Sequence, residues 1–227
     1  MTSRRLAALL LGALLLASAC TSAPGSGSAA SAPPAPADDP AQTPKPPLAV
    51  HTLTSPEVQD GWWGWAVSSK ADRSPVLDTD GRRCAERQRE DIWYLAGTTG
   101  GEVVRRTCTV PVGIPVLFPL VTLFGEAADC HAFMDTAKGS ATLDGAPLTA
   151  EPLGATPIGF FGARGNAFGE AAEKAGNTWS CGLWVRLDPL TPGNHELTIR
   201  GESGAPVFST GVDYHLRVAA PTPTGAA

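Results

Sequence analysis

Glu126, Asp129 and His131 fall within six residues, beside Cys130 and just after the apolar segment 116–124. A carboxylate next to an imidazole can act as a base with its orienting partner, or supply two ligands to a metal ion. These three are the candidate catalytic residues. The chemistry they suggest is extracellular hydrolysis. Their spacing matches neither an H-E-x-x-H helix nor a calcium loop. Asp78, Asp80 and Gly81 suggest an oxygen-lined turn, but no Glu at the twelfth loop position completes a calcium site. No metal and no cofactor is therefore expected. His51, His195 and His215 are scattered. His195 is expected to bond its own turn, and His215 to lie on a solvated face with Asp213 and Arg217. No G-x-S-x-G segment offers a serine nucleophile. The Gly97-Thr98-Thr99-Gly100-Gly101 run lacks the lysine and following helix of a phosphate loop.

Trp62, Trp63 and Trp65 are the candidate ligand-binding residues. Read as a strand, the segment 61–65 puts Trp63 and Trp65 on one face and Trp62 on the other. Flat indole faces suit sugar rings, aromatic ligands or a protein partner. Core packing competes with that platform, because Trp buries a large apolar area. The strand reading expects Trp62 and at least one of the other two to be buried.

The elements that position these residues begin with an export signal. Arg4 and Arg5 precede an apolar run, residues 6–17, then Ser18, Ala19 and Cys20. A basic start, a short apolar stretch and small residues before a cleavage point form a signal peptide. The segment Leu16-Ala17-Ser18-Ala19-Cys20 resembles the lipoprotein signal of bacterial surface proteins, with Ala17 where Leu is usual. The resemblance implies lipidation of Cys20, with palmitate-type acyl chains, as the mature N-terminus. The apolar run is shorter than the roughly 20 residues that span a bilayer, and two or more acyl chains make a stable anchor. Residues 1–19 are read as the lipoprotein signal peptide. Residues 20–47 are read as the lipidated Cys and a tether with eight Pro and seven Ala. Such a composition cannot offset the entropy cost of ordering. Residues 219–227 repeat it as a tail. Residues 48–218 remain as one domain, a size suited to one core. The expected place is the extracytoplasmic face of the cell membrane.

Cys84, Cys108, Cys130 and Cys181 fit that compartment. Four cysteines outside the cytoplasm suggest two disulfides in one of three pairings. Cys84 with Cys108 and Cys130 with Cys181 is the favoured arrangement, although spacing alone does not fix it. No C-x-x-C spacing favours zinc.

The domain reads as mainly β. Residues 92–96 form an apolar strand, Gly100-Gly101 a turn, and residues 103–110 a return strand, which together predict a hairpin. Residues 116–118 begin another strand that Pro119 either stops or places at a sheet edge. Residues 140–143 and 158–161 are weaker candidates. Residues 179–187 put Leu183, Val185 and Leu187 on one face, residues 195–200 alternate cleanly, and residues 212–218 turn Val212, Tyr214, Leu216 and Val218 inward. One helix is expected over 167–175 and a helical piece over 83–88. Short strands with Gly and Pro turns predict a disulfide-containing β-sandwich, immunoglobulin-like or jelly-roll-like, with at most one or two short helices.

Several motifs carry a wider resemblance. Gly61-Trp62-Trp63-Gly64-Trp65, Ile92-Trp93-Tyr94-Leu95-Ala96-Gly97-Thr98 and Arg106-Thr107-Cys108-Thr109-Val110-Pro111-Val112-Gly113 are similar to segments of a family of uncharacterised exported bacterial lipoproteins and secreted proteins. That resemblance covers most of residues 61–218 and implies a secreted, disulfide-bearing β domain. It carries no reaction and no catalytic residues. The Pro192-Gly193-Asn194-His195 turn also resembles turns before late strands of immunoglobulin-like sandwiches.

Residues 48–218 carry 14 Lys/Arg and 20 Asp/Glu. An acidic domain makes nucleic acid an unsuitable partner. Arg82, Arg83, Arg87, Arg89, Arg105 and Arg106 are interleaved with acids and read as local ion pairs. The reading favours a binding or envelope-associated domain over an enzyme. Its expected partners are the membrane, through the lipid anchor, and an envelope glycan, an extracellular protein or a small ligand.

Overall fold

Residues 49–174 and 176–219 are described by a computed structural model. The segments read above as signal peptide, lipidated Cys20 and tether, and nearly all of the segment read as tail, lie outside the described residues. Among the described residues nine strands form two sheets. β1 (Trp93–Tyr94), β3 (Val116–Gly125), β7 (Thr178–Leu187) and β6 (Glu151–Ile158) make the first, in the order β1-β3-β7-β6. β2 (Val104–Val110), β9 (Val207–Val218), β8 (Gly193–Gly204), β4 (Lys138–Leu143) and β5 (Ala146–Leu148) make the second, in the order β2-β9-β8-β4-β5. Pairing is antiparallel except for β1 with β3 and β2 with β9. The result is a β-sandwich with two disulfides and a few helices.

The predicted hairpin does not form. β1 pairs with β3 in one sheet, while β2 joins β9 in the other. The reason lies in burial on both faces. Trp93 and Leu95 pack between the sheets, while Ile92, Tyr94 and Ala96 pack beneath a helix on the outer side of the first sheet. Residues 97–103 therefore carry the chain across from one sheet to the other.

That helix is α1 (Ser55–Ala66), and it corrects the strand reading of the Trp segment. Thr54 caps it. Glu57 accepts hydrogen bonds from the Thr54 backbone N–H at 2.7 Å and the Thr54 hydroxyl at 2.8 Å, a reciprocal capping arrangement. Gly61 and Gly64 are poor helix formers. Tertiary packing overrides them: a Cβ at Gly61 would lie 2.7 Å from the Tyr94 hydroxyl oxygen. Val58, Trp62, Trp63, Trp65 and Ala66 are all buried against the first sheet.

α2 (Ala127–Met134) closes one end of the sandwich, and the Cys130–Cys181 bridge fastens it to β7. The Cys84–Cys108 bridge fastens the turns after α1 to β2. Residues 83–88 are turns, not a helix. The helix expected over 167–175 is reduced to α3 (Glu170–Glu173). The alternating strands 195–200 and 212–218 are as read, with Leu197, Ile199, Val212, Tyr214, Leu216 and Val218 all buried.

Candidate functional site

Glu126, Asp129 and His131 do not converge on a cleft. Glu126 is the N-cap of α2 and its side chain meets the Asp129 backbone N–H. Asp129 in return accepts from the Glu126 N–H at 3.1 Å. Both carboxylates thus satisfy the open donors of a helix start. His131 is exposed in the last turn of the same helix.

The three other histidines do meet carboxylates, which their sequence separation concealed; His51 Nε2 lies 3.4 Å from Asp188 Oδ1 in an exposed pair. His195 Nδ1 lies 2.7 Å from Asp144 Oδ2, and its Nε2 lies 2.9 Å from the Thr191 carbonyl oxygen. The Asp144 hydrogen bond, then that of Thr191, raises the His195 pKa above the ordinary value. With both ring nitrogens facing acceptors, the imidazole pins the turn as expected and has no free nitrogen for base catalysis. His215 Nδ1 lies 2.6 Å from Glu196 Oε1, on the open outer face of the second sheet beside Thr107. Asp78 and Asp80 direct their carboxylates to the N–H groups of Asp80, Arg83 and Arg82, so the turn binds its own backbone. Arg82 pairs with Asp80, Arg89 with Asp91 and Arg73 with Glu86. Among the described residues no cluster of three or more His, Cys, Asp or Glu could hold a metal ion.

The Trp cluster forms no surface platform. Trp62, Trp63 and Trp65 are 3%, 3% and 5% exposed. Each indole N–H has a partner: the Leu95 carbonyl at 2.8 Å, the Ser180 hydroxyl at 2.9 Å and the Glu86 carbonyl at 3.0 Å. Trp62 meets Trp63 and Trp184 edge to face, at centroid distances of 5.0 and 5.7 Å. An exposed sugar-stacking surface is therefore not available on these rings.

Trp62 and Trp63 instead form one wall of an apolar pocket of about 220 Å³. Phe124, Phe133, Phe168 and Phe208 contribute further aromatic walls. The pocket arises where β1 stops. β1 pairs only with Val116 and Leu117 of β3, so beyond Leu117 that strand has β7 on one side and the pocket on the other. Six consecutive residues, 119–124, line it. A strand facing a cavity would contribute alternate residues, so the pocket runs along the strand edge. Pro119 sits at the start of this edge, beside a register shift, where its missing N–H costs no ladder bond.

The lining holds no charged side chain; its polar side chains are Thr98, Thr99, Thr122 and Thr210. Thr122 donates to the Cys181 carbonyl at 2.8 Å, and Thr210 Oγ1 accepts from the Thr98 N–H at 2.6 Å. The Thr98 and Thr210 hydroxyls lie 3.3 Å apart, close enough for one to donate to the other. The β8–β9 hairpin tip contributes Pro206 and Phe208 to the lining, while Val207 between them is 91% exposed. Val50, near the first described residue, is held elsewhere. Its carbonyl accepts from Arg186, the partner of Leu117 at the start of β3. The pocket flanks the second half of that strand.

No protein-family model, curated protein or solved structure matches this chain.

Proposed function

We propose that this chain is a lipoprotein anchored through Cys20 to the outer face of a bacterial cell membrane, and that its β-sandwich is a binding module with the strand-edge pocket as its site. The anchoring half rests on the Arg4-Arg5 start, the apolar run 6–17 and the small residues before Cys20. Two cystines suit an oxidising compartment. The binding half rests on one observation: aromatic walls from α1, β3, α2 and β9 meet at an unpaired strand edge without filling the space between them. An apolar pocket with a few polar groups is the usual form of a small-molecule site.

The test has two arms. Membrane fractionation should find the chain bound and its Cys20→Ala variant released; continued tight anchoring of exported C20A sinks the lipoprotein reading. A thermal-shift screen of small molecules on full-chain Cys20→Ser should give stabilising hits that vanish in Leu123→Trp, which fills the pocket. Hits that all persist in a folded L123W chain place binding elsewhere.

A further inference from the structure

From the lining of the pocket we infer the class of its ligand: an uncharged molecule with an apolar body of about two fused rings and a single neutral hydrogen-bonding group. The inference rests on the reading of this pocket as a binding site. Size sets the body. An apolar cavity of about 150 Å³ takes one benzene ring, and this one is about 220 Å³ and open at its mouth. The lining agrees, because Trp63, Phe124 and Phe168 pack against one another as one continuous aromatic wall. Trp63 lies 4.8 Å from Phe124 and 5.1 Å from Phe168, centroid to centroid. Such walls suit flat hydrocarbon surfaces.

Charge sets the exclusion. An ionised group entering the pocket leaves water and meets no opposite charge there, a penalty that buried ions escape only by pairing. A neutral group has a reason to bind. When one of the Thr98 and Thr210 hydroxyls donates to the other, the second O–H is left over. A ligand hydroxyl or carbonyl placed there can accept it. Thr99, exposed at the rim, offers another hydroxyl.

Three probes separate the elements of this proposal: 2-naphthol, naphthalene and 2-naphthoate, which is ionised at neutral pH. They are titrated calorimetrically into full-chain Cys20→Ser at pH 7. The same titrations are followed by NMR through the indole Nε1–H signals. The expected result is 2-naphthol tightest, naphthalene severalfold weaker and 2-naphthoate at least tenfold weaker, with the Trp62 and Trp63 signals shifting. Naphthoate binding as well as naphthol at those signals overturns the charge exclusion while leaving the pocket a binding site. Naphthalene equal to naphthol overturns the neutral polar contact. No shift of either signal with any probe at millimolar concentration overturns both the ligand class and the reading of the pocket beneath it.

Discussion

Arg106 and Tyr214 form a buried clasp at the junction of the two sheets. The guanidinium, 2% exposed, donates to the Tyr214 hydroxyl at 2.8 Å and lies 5.6 Å from the centre of its ring. It also donates to the carbonyls of Val76, Asp78, Ala96 and Gly97. Tyr214 in turn donates to Ala96 at 2.7 Å. One side chain from β2 thus holds both the turns between α1 and β1 and the start of the crossing that follows β1.

Loss of that clasp should be costly. Arg106→Met leaves several buried carbonyls unpaired, and about 3–5 kcal/mol of stability should go, by analogy with broken buried polar pairs. Tyr214→Phe removes only the hydroxyl and should cost about 1–2 kcal/mol. Urea unfolding of the two variants measures both. A loss below about 1 kcal/mol for R106M would show that water replaces the guanidinium.

The two disulfides should differ in what they contribute. Their sequence separations are 24 for Cys84–Cys108 and 51 for Cys130–Cys181. The loop-entropy relation gives roughly 3.4 and 4.1 kcal/mol respectively. Paired Cys→Ser replacements should follow that order in denaturant unfolding. Because Cys130–Cys181 also seats α2, C130S/C181S should loosen the Phe133 wall of the pocket as well. Faster amide exchange in residues 127–134 would register this, and exchange equal to that of the parent chain would contradict it.

His195 and Asp144 give the domain a signed pH response. His195 has a raised folded-state pKa, so its contribution is fully present below the unfolded value near 6.5 and fades as pH rises through the folded value. Asp144 has a lowered one, first through His195 and then through the Glu196 N–H. Its contribution is present above the unfolded value near 3.9 and fades as pH falls through the folded value. The stability gap between the parent chain and His195→Gln should therefore be widest between about pH 4 and 6.5 and narrow on the alkaline side. A gap that widens from pH 6 to pH 9 would reverse the assignment. The Asp144 side chain is 49% exposed, so the effect is small.

How much of this was legible in the sequence depended on burial. β8 and the later part of β9 have one wet face, so Leu197, Ile199, Val212 and Tyr214 alternate with polar neighbours and could be read directly. β1 is buried on both faces, and its apolar run gave no sign of which sheet it joins. α1 was hidden by Gly61, Gly64 and three large indoles, although Thr54 and Glu57 already spelled a capping box. Glu126 and Asp129 spell another, which the sequence does not distinguish from a chemical site, because a cap and an acid cluster use the same residues. The pocket had no local signature. It exists because a two-residue strand ends at Tyr94 beside a ten-residue one, which is a tertiary event.

The most direct measurement is a crystal structure of full-chain Cys20→Ser grown with 2-naphthol. The bound molecule should lie along the free edge of β3, its rings against Trp63 and Phe168 and its hydroxyl within hydrogen-bond distance of Thr98 or Thr210. A pocket closed by the domain's own side chains, with the naphthol absent or bound on another face, would contradict this reading of the pocket.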